Sequence, residues 1–402
     1  MRAHFPPLAR SLVTVVALLF FFTPLALWAI GVRPDDQGAR ASLPSTWTSW
    51  GWIDETRAYV EDQLPFRTVA VRWRADVTRE LFGEAPPGAG NALDESTPRA
   101  GRGPSPIPEG ASDVVLGKNR WMFLTGELAL ACTPERSDPA IADDLRRMAK
   151  AVEQSGRAFV LSVAPDKSAV EQEHLPDDNP YEECAARGHR HRFATLHDAG
   201  IPGYIDMLQR LRLIERRDER ETYLRGDSHW NGLATSELTV AIARSLDPAV
   251  IPHTQFEPVE YEYQSDLTRV LGTPVTERGT NVRVLRPGVT VDREDAPFGP
   301  NTRAITTRAT TVGAPIAPEK ILLIGDSFAL GIVDQLAPFV QSLTYLHTFD
   351  ALLDPDLLQR ELDASTVVVV VTVERYAAAG ITDDLARVLV SAARRAAVPS
   401  AR

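Results

Sequence analysis

The chain has 402 residues, 44% of them hydrophobic, and a formal net charge of -11 at pH 7. This hydrophobic content is enough for a folded core and excludes an intrinsically disordered protein, while the length allows two average domains or one larger α/β domain with appendages. The negative charge argues against a broad basic surface for nucleic acid, so we expect no nucleic-acid partner.

The N-terminal region predicts a membrane anchor. Basic residues within 1–10 precede an apolar run, 12–30, that carries no charge, and about 20 apolar residues are enough to span a bilayer. The positive-inside rule makes 1–10 cytoplasmic and 11–31 a transmembrane signal anchor. A cleaved signal peptide is the alternative, although no small-x-small cleavage site is evident. We expect a single-pass protein of the cell membrane, with the remainder periplasmic or at the cell surface.

Residues 32–112 are predicted to separate the anchor from the main domain. Apolar residues at helical spacing indicate a helical stalk in the first part of this segment, and a Pro- and Gly-rich composition over 84–112 indicates a flexible linker or surface loop. The main domain is predicted at 113–396, and 397–402 form a tail.

The pattern within the main domain is that of an α/β protein. A hairpin is expected over 113–124, an amphipathic helix over 141–152 and a buried strand over 158–163. A run of mostly valine at 365–373 is typical of a buried parallel strand. Residues 252–315 read as short β-like pieces, which we interpret as a small β-rich insertion. The predicted fold is a parallel sheet flanked by helices.

The stretch 321–330, ILLIGDSFAL, predicts a strand that turns at Gly325-Asp326-Ser327 into a helix. In an open α/β sheet, ligands bind at the carboxyl ends of the strands, where helix N-termini direct backbone N–H groups towards negative charge. Ser327 is therefore a candidate nucleophile. The alternative is that Asp326 or Ser327 only caps the helix.

A second motif, Asp227-Ser228-His229-Trp230, supplies what a nucleophilic serine requires. A serine hydroxyl needs a base to remove its proton, and the base works best when an acid orients it. In an extended segment Asp227 and His229 would project to the same face and Ser228 to the other. The alternative is a partly buried histidine bonded to its neighbours, with Trp230 in the core. The two motifs together predict a catalytic triad of Ser327, His229 and Asp227.

These two motifs resemble those of the SGNH-hydrolase-like O-acetyltransferases of the alginate-modification type, the AlgX/AlgJ and DHHW-protein group. Three further stretches are similar to family segments, namely 62–67 (DQLPFR), 115–124 (VLGKNRWMFL) and 163–176 (VAPDK…LP). The resemblance covers roughly residues 51–375. It implies an SGNH-like fold in which Ser327, His229 and Asp227 match the nucleophile, the base and the orienting acid.

The resemblance also implies a function. The expected reaction transfers an acetyl group, through an acyl-serine, to hydroxyls of an exopolysaccharide or cell-wall glycan. A membrane-bound O-acyltransferase is the expected donor partner, and no cofactor or metal is expected. Two alternatives remain: a carbohydrate acetyl esterase of SGNH type, and a glycan-binding component of an export complex without turnover.

Other residues carry weaker predictions. Cys132 and Cys184 are expected to form one disulfide in an oxidising compartment. His189 and His191 lie in an arginine-rich stretch that we interpret as a solvated loop rather than a metal site. Asn231 is a weak candidate for a second oxyanion donor.

Two charged motifs stand at predicted strand ends. Asp166 and Lys167 follow the strand at 158–163, where they either border a pocket or form a turn with solvated charge. Arg375 follows the valine-rich strand, where it either braces the edge of the site or forms an ion pair with Glu374 or another acid.

Overall fold

A computed structural model describes residues 112–298 and 302–396. The predicted cytoplasmic segment 1–10, the signal anchor 11–31, almost all of the stalk and linker at 32–112 and the tail 397–402 lie outside the described residues. Within the described residues, no helix has both the length and the apolar composition needed to cross a membrane.

The described residues form one α/β fold. Its strands are β1 Val114–Leu116, β2 Met122–Leu124, β3 Ala158–Ala164, β4 Tyr204–Ile205, β5 Gln255–Gln264, β6 Thr276–Leu285, β7 Val289–Phe298, β8 Thr302–Thr311, β9 Ala317–Gly325, β10 Val340–His347 and β11 Val367–Val373. Its α-helices are α1 Thr125–Cys132, α2 Asp138–Gln154, α3 Lys167–Val170, α4 Glu182–Asp198, α5 Met207–Asp218, α6 Gly232–Leu246, α7 Asp266–Val270, α8 Ser327–Leu336, α9 Thr348–Leu353, α10 Pro355–Ala364, α11 Glu374–Ala378 and α12 Ile381–Arg395.

The central sheet has seven strands in the order β4-β3-β11-β9-β10-β8-β7. The first five strands are parallel to one another, whereas β8 runs antiparallel to both β10 and β7. The prediction of a parallel sheet is therefore correct for five strands and wrong for two. Helical crossovers return the chain to the same edge and make strands parallel, but the short connection from β7 to β8 forces an antiparallel hairpin.

The region predicted as a β-rich insertion, 252–315, contains two hairpins. Strands β5 and β6 pair only with each other, over ten residues each. Strands β7 and β8 instead extend the central sheet, with β8 paired to β10. Of the two hairpins within 252–315, the β5–β6 hairpin is the one that is separate from the main sheet.

The core lies on both faces of the parallel strands. All seven residues of β11 are buried, as are the last five of β9. Helices α2 and α12 pack together, as do α6 and α8. Full burial of a valine or leucine side chain contributes about 1.5–3 kcal/mol, which explains why these two strands are continuous apolar runs.

The strand register brings three chain segments to one edge of the sheet. Val373 of β11 pairs with Ala164 of β3, and Val371 pairs with Gly325 of β9. Gly325 is required by close approach, because a Cβ there would lie 2.6 Å from the Val371 carbonyl oxygen. The residues that follow β3, β9 and β11 therefore meet at the carboxyl edge of the sheet.

A disulfide joins Cys132 at the end of α1 to Cys184 in the first turn of α4, which confirms the predicted pairing.

Candidate active site

Ser327 is the first residue of α8, directly after β9 ends. Asp326 caps the helix: its Oδ1 accepts the Phe328 N–H at 2.9 Å, and its Oδ2 accepts the Val373 N–H at 2.7 Å. The capping interpretation is thus correct for Asp326. Ser327 itself is exposed to solvent at the sheet edge.

Asp227 and His229 lie in a turn that connects α5 to α6, and the expectation of an extended segment is wrong. The Asp227 Oδ1 accepts the His229 backbone N–H at 3.0 Å, two positions further along. Aspartate side chains commonly form such turns with their own backbone. The turn, rather than strand alternation, brings the carboxylate beside the imidazole. The buried Ser228 does not lie on the opposite face, because its Oγ is 3.5 Å from the His229 Nδ1.

The three predicted side chains form one chain of hydrogen bonds. The Asp227 Oδ1 lies 2.7 Å from the His229 Nδ1, and the His229 Nε2 lies 2.8 Å from the Ser327 Oγ. An ionised carboxylate only accepts hydrogen bonds, so Nδ1 carries the proton and Nε2 is free to accept the serine hydroxyl. This is the geometry that general-base activation of a serine requires.

The electrostatics of the pair match that arrangement. Burial alone would lower the pKa of His229, but the hydrogen bond and charge of Asp227, helped by Asp266, raise the pKa above its ordinary value. Burial opposes ionisation of Asp227 as well, yet its bonds to His229 lower its pKa. The imidazolium formed during proton transfer is therefore stabilised by its surroundings.

Lys167 supports the loop that carries these residues, which we call the His229 loop (224–230). Its Nζ is fully buried and donates to the carbonyls of Met122 at 2.7 Å, Arg225 at 2.7 Å and Asp227 at 2.9 Å. The interpretation of Lys167 as a solvated turn residue is wrong. An ammonium group has three donors, and here all three fix backbone next to the site.

Asp166 and Arg375 form a buried ion pair beside Phe328, the residue after Ser327. The Arg375 guanidinium lies 2.5 Å from the Asp166 Oδ1 and 5.2 Å from the centre of the Phe328 ring, which in turn is 5.1 Å from the His229 ring. Arg375 therefore both pairs with an acid and borders the site, but the acid is not Glu374. Asp166 is buried, so its interpretation as a solvated charge is also wrong.

Comparison with known proteins identifies the family. The family model described as "SGNH hydrolase-like domain, acetyltransferase AlgX" matches residues 114–347, more than half of the chain, including Asp227, His229 and Ser327. The chain belongs to this AlgX family. The fold is accordingly an SGNH-like α/β fold.

Relatives and solved structures give the extent of the similarity. The chain is 24% identical over 273 residues to the probable alginate O-acetylase AlgJ of Pseudomonas syringae pv. tomato, covering 66% of this chain and 61% of that protein. It is 24% identical over 139 residues to the probable alginate O-acetylase AlgJ of Pseudomonas putida, covering 34% of this chain and 35% of that protein. The chain thus spans less than two thirds of the length of these relatives.

Two solved structures are similar at lower levels. The O-acetyltransferase domain of Pseudomonas putida AlgJ aligns with a TM-score of 0.42 at 18% identity, over 67% of this chain and 93% of that domain. Pseudomonas aeruginosa AlgX aligns with a TM-score of 0.45 at 15% identity, over 69% of this chain and 67% of that protein.

Asn231 is a helix cap in this AlgX-family chain. Its Oδ1 accepts the N–H groups of Leu233 at 2.9 Å and Ala234 at 3.3 Å, and its Nδ2 donates to the Glu221 carbonyl at 2.7 Å. Its oxygen and one of its two amide N–H donors are thus engaged in the cap of α6 and in the bond to Glu221. The Ser327 N–H at the start of α8 is the remaining candidate donor at this turn, because the next amide, that of Phe328, already donates to Asp326.

The two histidines of the arginine-rich stretch lie on helix α4, so the expectation of a solvated loop is wrong. His189 is fully buried, with its Nδ1 2.7 Å from Glu374 and its Nε2 3.1 Å from Ser168. His191 lies 2.6 Å from Asp138. Both imidazoles are therefore held by acids that are distant in sequence.

Asp266 is a site residue that the sequence did not reveal. It begins α7 between β5 and β6, and its Oδ2 lies 3.5 Å from the His229 Nδ1. Its carboxylate also accepts the Ser228 N–H at 2.8 Å and the Ser228 hydroxyl at 2.5 Å. An Asp in Q-S-D-L carries no motif, so only the Ser265 helix-cap signal was available in the sequence.

Two side-chain sets among the described residues place potential metal ligands within 4.8 Å of each other, Glu171-Glu173-His174 and Asp227-His229-Asp266. Carboxylate and imidazole groups together suit transition metals. In the second set, Asp227 and Asp266 each accept backbone N–H groups and are organised around the imidazole. The expectation of no metal or cofactor stays a prediction.

Proposed function

We propose that this chain is an extracytoplasmic O-acetyltransferase that carries an acetyl group on Ser327 and transfers it to hydroxyls of an exopolysaccharide or cell-wall glycan. The observation that carries the proposal is the hydrogen-bond chain from Asp227 through His229 to Ser327, at 2.7 and 2.8 Å. Membership of the AlgX family and the similarity to proteins named probable alginate O-acetylases support acetyl transfer as the reaction.

In the first half-reaction, the His229 Nε2 removes the proton of Ser327 as the Oγ bonds to the carbonyl carbon of an acetyl donor. The negative oxygen that forms is stabilised by the Ser327 N–H at the N-terminus of α8. The tetrahedral intermediate then collapses, the bond to the donor oxygen breaks, and that oxygen takes the proton from Nε2. Asp227 stabilises the imidazolium throughout.

In the second half-reaction, a sugar hydroxyl occupies the place that the donor left. His229 removes its proton as its oxygen attacks the acetyl-serine carbonyl. Collapse of this intermediate releases the acetylated sugar, and the proton returns from Nε2 to the Ser327 Oγ. Over the cycle the acetyl group passes from the donor to the sugar, the donor oxygen gains a proton, the sugar hydroxyl loses one, and Ser327 and His229 return to their starting forms.

We assign the glycan acceptor to a polar cleft beside the His229 loop, whose lining does not itself include Ser327 or His229. It has a volume of about 710 Å³ and lies between β6 and residues 219–225, with Tyr263, Glu277 and Arg225 among its lining. A tyrosine ring with carboxylate and guanidinium groups can bind a sugar through its ring face and hydroxyls. The names of the relatives mention alginate, and we extend this only as far as a hydroxyl-bearing polysaccharide.

The proposed location and partners follow from other features. The Cys132–Cys184 disulfide supports an oxidising compartment. The apolar run 12–30 supports a single membrane anchor with the domain outside the cytoplasm. The acetyl donor would be delivered by a membrane-bound O-acyltransferase, because acetyl thioesters are made inside the cell.

Esterase activity is the second candidate, and the exposure of Ser327 favours it. Water at about 55 M competes with any acceptor for the acetyl-serine, so transfer requires that a sugar hydroxyl be oriented more effectively than water. Binding without turnover is the remaining alternative and has no specific observation in its favour.

The experiment uses the purified full chain with a chromogenic acetyl ester. Intact-protein mass spectrometry should detect one added acetyl group, which peptide mapping places on Ser327. Ser327→Ala should lose about three to six orders of magnitude in ester turnover, whereas the exposed Ser391→Ala is the matched control and should be unaffected. Faster release of acetyl to a polysaccharide than to water supports the transferase, and equal release with or without polysaccharide supports the esterase. Equal turnover by wild type and Ser327→Ala would contradict both enzymes.

A further inference from the structure

The β5–β6 hairpin reaches the His229 loop at two consecutive residues. The Ser265 hydroxyl donates to the Gly226 carbonyl, and Asp266 accepts the N–H and the hydroxyl of Ser228. The loop between Leu224 and Trp230 has no regular secondary structure of its own. Its conformation therefore depends on contacts from elsewhere, and the hairpin supplies some of them in addition to those from Lys167.

Asp266 also contacts Asp227 directly. The Asp266 N–H donates to the Asp227 Oδ2 at 3.1 Å, while the Asp227 Oδ1 faces His229. Each oxygen of Asp227 thus has a fixed partner, and rotation of the carboxylate away from the imidazole would break both bonds. A side chain locked in this way holds the base in a productive orientation.

The Asp266 carboxylate is also a second negative charge beside the imidazole. Its Oδ2 lies 3.5 Å from the His229 Nδ1, against 2.7 Å for the Asp227 Oδ1. Of the charged groups near His229, these two carboxylates raise its pKa and Arg375 lowers it. The Lys167 ammonium also lies close, bonded to the Asp227 carbonyl. Phe328, Ser327 and Ser228 contact the imidazole as well and are neutral.

We propose that Asp266 is a positioning residue for the acetyl-transfer site: it fixes the Asp227–His229 pair through Ser228 and Asp227, and it provides a second counter-charge to the imidazolium. The inference rests on the proposed function for its kinetic consequence, but its structural and electrostatic parts concern the free protein. It assigns a role to the β5–β6 hairpin, which carries no part of the predicted triad.

The test compares Asp266→Asn with Ser228→Ala. Asp266→Asn keeps the shape and removes the charge, so the pKa of His229, followed by NMR of its ring nitrogens, should fall by roughly one pH unit. Ser228→Ala removes the hydroxyl contacts to Asp266 and to the His229 Nδ1 and keeps both charges, so the pKa of His229 should change much less than in Asp266→Asn. Glu262→Gln, an exposed change on the same hairpin, is the matched control.

Turnover of the acetyl ester gives the second readout. Asp266→Asn should lower kcat by about tenfold with KM unchanged, far less than the ~10⁴-fold loss expected when the acid that directly orients the base is replaced. Asp266→Glu keeps the charge but lengthens the side chain, so a wild-type pKa of His229 with a several-fold lower kcat is expected.

Two outcomes overturn the proposal. One is an Asp266→Asn variant with the wild-type pKa of His229 and wild-type kcat. The other, which remains available if Asp266→Asn does not fold, is an Asp266→Glu variant with unchanged kcat. If the wild type is never acetylated at Ser327, the proposed function fails, and the NMR titration alone still decides whether Asp266 acts on His229.

Discussion

Replacing Lys167 by methionine tests whether the hydrogen bonds of Lys167 stabilise the His229 loop. Lys167 donates to three carbonyls, those of Met122, Arg225 and Asp227. The Arg225 carbonyl also accepts the Met122 N–H at 3.0 Å, so the main loss falls on the other two. A buried acceptor left without a donor costs about 1–3 kcal/mol, and two of them give about 4 kcal/mol.

Part of that loss is offset in the variant. The methionine side chain occupies the same space against the rings of Trp121 and Phe123, which lie 4.9 and 5.3 Å from the Lys167 Nζ. Removing a buried charge also removes the cost of burying it. We therefore expect Lys167→Met to lower the free energy of unfolding by about 3 kcal/mol.

Urea unfolding of the full chain measures the stability, and the rate of Ser327 acetylation measures the effect on the site. The acetylation rate should fall at temperatures where Lys167→Met remains folded, because the loop carrying Asp227 has lost its support. Lys150→Met, an exposed change on α2, is the matched control. A Lys167→Met variant within about 0.5 kcal/mol of wild type, acetylated at the wild-type rate, would refute the reasoning.

Three further predictions follow from the described contacts. Burial and a neighbouring carboxylate raise the pKa of Glu171 to about 9 from 4.5. The folded state therefore retains a proton that the unfolded chain releases, and the free energy of unfolding should decline as pH rises between these values. Glu171→Gln should flatten that decline in thermal melts, and an unchanged slope would count against a protonated Glu171. The disulfide between Cys132 and Cys184 closes a loop with a separation of 52 residues, so Cys132→Ser with Cys184→Ser should cost about 4 kcal/mol in urea unfolding, and a loss below about 1 kcal/mol would contradict this. Because the pKa of His229 is raised above 6.5, the acetylation rate should rise with pH through a midpoint above 6.5 as the base loses its proton, and a midpoint below that value in burst kinetics would be inconsistent with the structure.

The sequence predicted the meeting of Ser327, His229 and Asp227 because each position follows from a local rule. A buried apolar run followed by Gly-Asp-Ser places a serine at the carboxyl end of a strand. An Asp two positions before a His can reach the imidazole in more than one backbone conformation. Asp227 and His229 therefore meet although the segment is not extended, because the turn at 225–229 brings the same two side chains together.

The supporting residues could not be predicted in the same way, because their partners are far apart in the chain. Asp266 bonds Ser228 across 38 positions, and Lys167 reaches the Asp227 carbonyl across 60. His189 lies among arginines in sequence, which suggests a solvated stretch, but its partner Glu374 is 185 positions away. The packing of helices and loops against the sheet brings such groups together, and local sequence patterns do not specify that packing.

The buried charged side chains at the sheet edge are better explained by the backbone that they hold in place than by a contribution to stability. Replacing a buried ion pair by apolar residues is often neutral or stabilising, so pairs such as Asp166–Arg375 are weak evidence for a stability role. Burial alone would raise the pKa of Glu374, but His189 and Arg192 hold it at about 2, so this carboxylate stays charged in the core. Glu374 accepts the Asp166 N–H at 3.1 Å, which ties the exit of β11 to the exit of β3.

A second buried carboxylate, that of Asp326, fixes the strand that carries the nucleophile. Asp326 accepts the N–H of Val373, the last residue of β11, at 2.7 Å, and thereby ties the exit of β9 to that of β11. Each of the three parallel strands that end beside Ser327 is thus bonded to a neighbour just where regular pairing stops. A hydrogen-bonded chain of 2.7 and 2.8 Å tolerates little movement of its members. The buried carboxylates of Glu374 and Asp326 thus fix the backbone on which that chain of hydrogen bonds depends.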